Sequence, residues 1–342
     1  MADFDGKKSV LDGDNMTPLI RVEHLKKYFT IPRKGKLHAV DDVSFEVYPS
    51  ETLGLVGESG CGKTTVGQVI MRLQTKTGGE LFYRGKEVFS AKGNEDMSLR
   101  RNMQIIFQDP YSSLNPRKTI RSILAEAYII HNYGNRKKID GEIERICDMV
   151  DLSKDLLECY PHELDGGMRQ VVGIARALSL SADFIVCDEP VSSLDVSVQA
   201  RIINLLMDLQ KQLGISYLFI SHDLSVVRHI SNHIAIMYLG QFVEYADTDT
   251  VFANARHPYA IALLSAIPRM DIDKKRTRIV LKGDVPSPMN PKPGCRFAPR
   301  CWMAHDDCFD NDPQMNEIEK GHFVSCLYSH ESKEYANTGI QH

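Results

Sequence analysis

Short continuous apolar runs are separated by longer amphipathic stretches over most of this chain. Thr52–Val56, Phe184–Cys187 and Tyr217–Ile220 are such runs, and their β-favouring residues are typical of strands buried on both faces. The stretch Val198–Leu213, between the second run and the third, has helical spacing of its apolar positions. A strand, a helix and another strand in this order predict a βαβ unit within a parallel sheet.

Other segments predict elements outside the parallel sheet. Apolar and polar residues alternate in Ala39–Val47, and Leu19–Glu23 also has strand character, which together indicate an antiparallel subdomain at the edge of the core. Apolar residues such as Ile139 and Ile143 recur at helical spacing over residues 120–158, where we expect a helical insert. The predicted fold class is therefore α/β, with a β-subdomain and a helical subdomain attached to the core.

The composition is that of a soluble globular protein. Of 342 residues, 43% are hydrophobic and 25% are charged, and the formal net charge of −4 gives no reason to expect a nucleic-acid partner. Apolar runs stay shorter than the roughly 18 residues that span a bilayer, and the N-terminal residues lack the apolar core of a signal peptide. We therefore expect the chain to remain in the cytoplasm, where clustered cysteines favour metal binding over disulfides.

A glycine-rich motif directly follows the strand predicted at Thr52–Val56. Gly57–Thr65 reads GESGCGKTT, which matches the complete phosphate-loop pattern G-x-x-x-x-G-K-[ST]; the alternative is an ordinary glycine-rich turn. Backbone N–H groups of such a loop bind phosphate oxygens, Lys63 would reach the β and γ phosphates, and Thr64 would bind Mg²⁺ through its hydroxyl. The predicted nucleotide-binding residues of the loop are Gly57, Ser59, Gly60, Cys61, Gly62, Lys63, Thr64 and Thr65.

Polar residues suited to catalysis follow three further predicted strands. Asp188 would bind Mg²⁺ and Glu189 would polarise a water for attack on the γ phosphate, whereas the alternative is that the pair caps the next helix. His222 would lie at the same edge of the sheet, near the γ phosphate, although a single histidine is more often an ordinary polar residue. Gln108, after Ile105–Phe107, is suited to contacting Mg²⁺ or water.

The order of these motifs resembles that of ABC-transporter ATPases. Along the chain the motifs are Gln108, Leu164–Met168, Asp188 with Glu189, Ser192–Asp195 and His222. The resemblance covers residues 19 to about 328 and implies a P-loop NTPase with a RecA-like core, an antiparallel β-subdomain and a helical subdomain. It also implies a dimer in which two chains bind two ATP molecules head to tail, each site borrowing the partner's signature motif.

The roles of individual residues follow from the same resemblance. Tyr28 would stack on adenine, Gln108 is the Q-loop glutamine, and Asp195 is the D-loop aspartate. Glu189 would be the catalytic glutamate and His222 the switch histidine. The signature, which acts at the partner's site, comprises Leu164, Asp165, Gly166, Gly167 and Met168.

The signature departs from the family's Leu-Ser-Gly-Gly-Gln at two positions. Asp165 replaces the serine and Met168 the glutamine; methionine occurs in one of the two paired subunit types, whereas aspartate is unexpected. The family's serine donates a hydrogen bond to the γ phosphate across the dimer, but a carboxylate only accepts hydrogen bonds and repels phosphate. We therefore expect one weakened composite site, while the site at this chain's own phosphate loop should still hydrolyse ATP.

Longer segments resemble the ATPases of peptide importers. They are Phe107–Pro116, Cys187–Gln199, His257–Pro268, Gly283–Pro288 and Gly294–Cys301. The resemblance implies a second ABC ATPase, usually a different one, two membrane permeases above the ATPase pair at the cytoplasmic face of the membrane, and an extracellular binding protein that delivers di- or oligopeptides. Some relatives import nickel instead, and a mainly regulatory ATPase subunit is the alternative that the altered signature suggests.

A rival class is a soluble ABC protein that acts on nucleic acid or ribosomes. Such proteins more often carry two ATPase cassettes or a long coiled-coil insertion, and this sequence has neither. The sequence therefore favours an ATP-hydrolysing transport subunit that uses ATP and Mg²⁺.

Four cysteines lie in the proline-rich C-terminal part of the chain. Cys295, Cys301, Cys308 and Cys326 have the spacing C-x5-C-x6-C-x17-C, and four thiolates suit either zinc or an iron–sulfur cluster. The spacing lacks the C-x2-C pairs of zinc ribbons, and similar tails in some peptide-importer ATPases hold a [4Fe–4S] cluster. A cluster is therefore favoured, with zinc and no metal as alternatives, and a bound metal would serve a structural role.

These patterns combine into a predicted domain organisation. Residues 1–17 form a flexible tail, and residues 18–270 form the nucleotide-binding domain, with its helical subdomain at about 110–165. Residues 271–330 form a C-terminal domain with the four-cysteine motif, and 331–342 form a second tail.

Overall fold

A computed structural model describes residues 17–267 and 278–332 of the chain. The N-terminal part forms a four-stranded antiparallel sheet of order β2-β1-β4-β5. Its strands are β1 (Ile20–Ile31), β2 (Gly35–Val47), β4 (Gly78–Tyr83) and β5 (Lys86–Glu87). This sheet is the antiparallel subdomain that the alternating pattern predicted.

A second sheet of eight strands forms the centre of the molecule, in the order β11-β12-β10-β9-β3-β8-β7-β6. The five strands from β9 to β6 run parallel, whereas β10, β11 and β12 extend the sheet with antiparallel pairing. The strands are β3 (Thr52–Val56), β6 (Met103–Ile106), β7 (Phe184–Asp188), β8 (Ser216–Ser221), β9 (His233–Tyr238), β10 (Gln241–Asp247), β11 (Asn316–Glu319) and β12 (His322–Val324).

The α-helices surround the parallel part of this sheet. They are α1 (Lys63–Ile70), α2 (Asn94–Asn102), α3 (Pro110–Ser113), α4 (Ile120–Ile130), α5 (Arg136–Met149), α6 (Gly166–Leu178), α7 (Val196–Leu213), α8 (Leu224–Ile230), α9 (Thr248–Asn254) and α10 (Pro258–Ser265). The predicted βαβ unit is confirmed as β7, α7 and β8, with β7 parallel to β8. None of the described helices combines the length and apolar character that crossing a membrane requires.

The predicted helical insert is present as α4 and α5, followed by a short 3-10 helix at Lys154–Glu158. Ile123, Ile143 and Ile146 are buried between these helices and α6, so the helical region packs as one apolar layer. Each long helix begins with a side-chain cap: Thr119 accepts from the N–H of residue 122, and Asn135 from that of residue 138.

The C-terminal segment packs directly against the central sheet. β12 pairs with β10, and the buried carboxylate of Glu244 on β10 lies 2.7 Å from Nε2 of His322 on β12. Arg256 pairs with Glu319 at 2.6 Å. The predicted boundary at 270–271 falls within residues 268–277, and most of both predicted tails also lies outside the described residues, so these domain limits stay predictions.

Candidate nucleotide site

The phosphate loop connects β3 to α1 at the carboxyl edge of the parallel strands. Its backbone passes so close to neighbouring chain that glycine is required: a Cβ at Gly62, where φ is +112°, would lie 2.0 Å from the carbonyl oxygen of Ala39. A Cβ at Gly57 would lie 2.2 Å from the carbonyl oxygen of Met237. The backbones of β2 and β9 therefore pack against the loop and restrict its conformation.

Lys63 lies across the mouth of this loop. Its Nζ donates to the carbonyl oxygens of Gly57, at 2.7 Å, and Glu58, at 3.1 Å, and its side chain is almost fully buried. Cys61 is also buried, with its Sγ 4.0 Å from that Nζ, and burial raises the pKa of its thiol. The ammonium group is thus held against the backbone of the loop, and the Cys61 thiol is not activated.

Two oxygen ligands suited to Mg²⁺ lie together beside the loop. The hydroxyl of Thr64 donates to Oδ1 of Asp188 at 2.9 Å. Asp188 is the last residue of β7 and is 4% exposed, and burial raises the pKa of its carboxyl above the ordinary value. Hydroxyl and carboxylate oxygens are the donors that Mg²⁺ takes from proteins, so this pair fits the ion.

Glu189 is the centre of a small polar cluster at the same edge. Its Oε2 accepts from Nε2 of Gln108 at 3.1 Å and lies 3.3 Å from Nδ1 of His222, while its Oε1 lies 4.0 Å from Nζ of Lys63. Glu189 also has a positive φ of +46°, an uncommon backbone conformation for glutamate. The structure therefore brings together Gln108, Glu189 and His222, which the sequence placed at the ends of different strands.

A cavity of about 250 Å³ extends from these groups to the antiparallel sheet. Tyr28, the predicted adenine-stacking residue, does not line this cavity: its hydroxyl donates to Asp41, and its ring stacks on His38 with the centroids 3.9 Å apart. The next residue, Phe29, lines the cavity instead. The cavity is lined by Phe29, Leu37, His38, Ala39, residues 59–65, Gln108, Glu189, Gly240 and Pro288.

The adenine contact predicted for Tyr28 therefore stays a prediction, and Phe29 is a second candidate because it lines the cavity. β1 has irregular pairing with β2 between Leu25 and Lys27 and again between Lys27 and Tyr28. Because each bulge changes which side chains share a face, simple alternation along the strand does not identify the aromatic residue that faces the cavity.

The signature and D-loop aspartates both cap helices on the surface. Oδ1 of Asp165 accepts from the N–H of Met168 at 2.8 Å at the start of α6, and Oδ1 of Asp195 accepts from the N–H of Val198 at 3.0 Å at the start of α7. Hydrogen bonds from Ser197 and this N–H lower the pKa of Asp195. Of the signature residues, Leu164 is buried, whereas Asp165 and Gly166 are exposed, and residues 164–168 do not line this chain's own cavity.

The four C-terminal cysteines surround one cavity of about 20 Å³, which also borders His257 and Phe297. That volume suits about one water molecule. Among residues 17–267 and 278–332, no three His, Cys, Asp or Glu side chains lie close enough together to hold a metal ion. Neither the iron–sulfur cluster nor the zinc site considered from the sequence therefore has support in the described residues, although Cys295, Cys301, Cys308 and Cys326 all border this cavity.

The site combines a phosphate loop, an Asp-Glu pair at a strand end, a glutamine and a histidine that face this pair, and a signature helix with a capped N-terminus. Together these features define an ATPase of the ABC class. The chain belongs to the ABC transporter family, whose model matches residues 40–192. A second model, described as oligopeptide/dipeptide transporter, C-terminal region, matches residues 243–308. The chain is thus an ABC-type transport ATPase with the C-terminal region of that particular branch.

Curated relatives match almost the whole chain. An oligopeptide transport ATP-binding protein of Bacillus subtilis is 46% identical over 325 residues, covering 92% of this chain and 99% of the relative. A dipeptide transport ATP-binding protein of Haemophilus influenzae is 46% identical over 319 residues, covering 91% of this chain and 97% of the relative.

Solved structures support the fold. A dimeric ATP-binding cassette in a post-hydrolysis state, bound to ADP and phosphate, has a TM-score of 0.61 at 23% identity and covers 67% of this chain and 98% of its own. A subunit of an ABC transporter complex from Clostridium perfringens also has a TM-score of 0.61, at 23% identity, and covers 69% of this chain and 91% of its own. The RecA-like core with its antiparallel and helical subdomains, predicted from the sequence, is confirmed.

Proposed function

We propose that this chain is the ATP-hydrolysing subunit that powers import of di- or oligopeptides through a membrane ABC transporter. The observation that carries the proposal is a cavity lined by the phosphate loop, Gln108 and Glu189, with Asp188 bonded to Thr64 and His222 lying 3.3 Å from Glu189. The C-terminal region that matches the oligopeptide/dipeptide family supports the peptide substrate, as do the relatives' names. Nickel import is the alternative that the sequence left open.

In this proposal ATP enters the cavity with its base toward Phe29 and its phosphates in the glycine-rich loop. Lys63 exchanges its contacts with the loop carbonyls for the β and γ phosphates. Thr64, Asp188 and Gln108 would hold Mg²⁺, which neutralises charge on the phosphate oxygens.

Glu189 then orients the attacking water. Its carboxylate is held by Gln108 and lies close to His222, so the water can be placed in line with the γ phosphate while the histidine contacts the phosphate. Positioning and charge account for most of the catalysis in phosphoryl transfer, so small displacements of this cluster should have large effects on turnover.

The active form in this proposal is a head-to-tail dimer with a second, different ABC ATPase. Asp165 and Gly166 are exposed at the start of α6, away from this chain's own cavity, where they are available to a partner's nucleotide. Asp165 provides a helix cap as serine would, but it brings a negative charge toward that nucleotide, so the partner's phosphate loop would form the weaker site. This charge is also the observation that favours a regulatory role at one of the two sites.

The cysteine segment, residues 295–326 with its four cysteines, is proposed to hold a [4Fe–4S] cluster. The four thiols that border one cavity would supply the donor set, and this cavity of about 20 Å³ would have to widen to admit the cluster. The cluster would tie together a segment with little core of its own.

The proposed assembly is peripheral to the membrane at its cytoplasmic face. Two permease subunits would bind the ATPase pair, and an extracellular peptide-binding protein would act on them indirectly. Family membership supports these partners.

The test is ATP hydrolysis by the complex with the neighbouring ATPase and the permeases, with Glu189→Gln compared to the parent. Glu158→Gln, which removes an exposed carboxylate paired with Arg121, is the matched control. Loss of turnover with retained ATP binding in Glu189→Gln alone would support catalysis at this chain's site. Unchanged turnover would mean that the chain regulates and that its partner hydrolyses ATP.

A further inference from the structure

An ion pair joins the cysteine segment to the phosphate loop. Nη1 of Arg300 lies 2.9 Å from Oε2 of Glu58, and its Nη2 lies 3.3 Å from Oε1 of the same carboxylate. Arg300 closes the 3-10 helix Ala298–Arg300 and immediately precedes Cys301, while Glu58 is the second residue of the phosphate loop. The guanidinium is 8% exposed and the carboxylate 29%, so the pair is largely withdrawn from water.

Glu58 is held at every polar group of its backbone and side chain. Its N–H donates to the hydroxyl of Tyr259 at 2.9 Å, its carbonyl accepts from Nζ of Lys63, and its carboxylate accepts from Arg300. Tyr259 lies on α10 and packs on Phe297, with the ring centroids 5.5 Å apart. The contacts with Tyr259 and Arg300 therefore connect Glu58 to α10 and to the C-terminal segment.

The charge of Glu58 makes this arrangement relevant to nucleotide binding. A carboxylate within a loop that binds polyphosphate opposes the ligand electrostatically unless a cation neutralises it. The two N–H groups of a guanidinium also fix a carboxylate in a single orientation, which a flexible ammonium does less well. One residue of the cysteine segment thus both neutralises and orients the start of the phosphate loop.

We propose that Arg300 is a positioning residue for the nucleotide site, acting through Glu58 on the conformation and charge of the phosphate loop. The proposal rests on the proposed function of the loop as the ATP site. The cysteine segment is then part of the machinery that sets nucleotide affinity, in addition to being a folded appendage.

The test is the affinity of the full-length chain for MgATP, with a fluorescent ATP analogue as the probe. Arg300→Gln should weaken binding about tenfold, because it leaves the Glu58 carboxylate without its cation, and Arg300→Lys should recover part of the loss. In the Glu58→Ala background, Arg300→Gln should change affinity less than about twofold, since the partner is already absent. In the assembled complex at saturating ATP, turnover of Arg300→Gln should stay close to the parent's.

Arg256→Gln is the matched control, because Arg256 is a buried arginine that pairs with the half-exposed Glu319, away from the loop. Two results would overturn the proposal. One is that Arg256→Gln loses as much MgATP affinity as Arg300→Gln when both lose the same thermal stability. The other is that Arg300→Gln keeps its full tenfold effect in the Glu58→Ala background. If Arg300→Gln does not fold, Arg300→Lys replaces it, and its effect on MgATP affinity is measured with Glu58 present and in the Glu58→Ala background. A smaller effect in the Glu58→Ala background supports the proposal, and an equal effect overturns it. Lys63→Ala separates the two hypotheses: if it leaves MgATP binding unchanged, the proposed nucleotide site itself has failed.

Discussion

The hydroxyl of Thr64, at the start of α1, lies 2.9 Å from Oδ1 of Asp188, at the end of β7, so this contact presents two candidate Mg²⁺ donors together. Thr64→Val removes the hydroxyl oxygen, and Asp188→Asn replaces the charged carboxylate with a neutral amide. Both variants should lose most of the increase in ATP affinity that Mg²⁺ produces, while affinity measured in excess EDTA stays within about twofold of the parent's. Equal Mg²⁺ stimulation in parent and variants would contradict this assignment.

The adenine contact can be assigned by comparing two adjacent aromatic residues. Phe29→Ala should weaken ATP binding about tenfold, because stacking of a base on an aromatic ring contributes roughly 1–3 kcal/mol. Tyr28→Ala removes a ring of similar size that lies against His38 and Asp41, so it should lower thermal stability but reduce ATP affinity less than Phe29→Ala. The reverse order of affinities, measured by fluorescence titration, would return the adenine contact to Tyr28.

Asp165 combines a local structural role with a charge, and two substitutions separate them. Asp165→Ser keeps an N-cap acceptor for the N–H of Met168, so stability should change little, while turnover per complex should rise as the negative charge is removed. Asp165→Ala should raise turnover less and destabilise the chain by about 1 kcal/mol through loss of the cap. Chemical denaturation and ATPase assays of the same preparations provide both readings, and an unchanged rate in Asp165→Ser would disprove the weakened site.

His257 should make the folded state sensitive to acid. Burial lowers its pKa to about 3 from an ordinary value of 6.5, so between these values the unfolded chain binds a proton that the folded chain does not. The free energy of unfolding should therefore fall as pH drops below about 6.5. His257→Asn keeps a side-chain acceptor for the N–H of Tyr259, and between about pH 7 and about pH 5 it should lose about 2 kcal/mol less than the parent. Parallel pH curves, at matched metal content, would show that His257 does not carry this effect.

The metal content of the cysteine segment can be measured directly. Protein purified without oxygen should contain about four iron atoms per chain and visible charge-transfer absorption, and Cys301→Ser should lose both. Cys159→Ser alters a cysteine outside the four and should retain them. Zinc without iron in the parent protein would refute the cluster and restore the single-ion alternative.

Much of the nucleotide site could be placed from the sequence because its positions follow from sheet topology. Parallel strands end at one edge, so residues that directly follow them, such as Glu189 and His222, had to lie near the phosphate loop. Their catalytic roles stay predictions.

Other parts of the site depend on contacts that no local pattern records. Phe29, which lines the cavity, was not named from the sequence because bulges in β1 interrupt the alternation of its faces. Pro288 and Arg300 reach the site from the C-terminal segment, through long-range packing of irregular chain on the two sheets. Sequence motifs therefore located the chemistry, whereas the outer wall of the cavity and the support of the loop required the folded structure.

The pairing of β12 with β10 has a practical consequence for anyone who would shorten this protein to its ATPase cassette. A chain ending before residue 268 would lose β11 and β12, and the backbone N–H and C=O groups along β10 would become an unprotected sheet edge. The same truncation would leave Glu244, which is 0% exposed, without His322. Such a fragment would be prone to self-association through that edge, so a shortened form of this ATPase should retain β11 and β12.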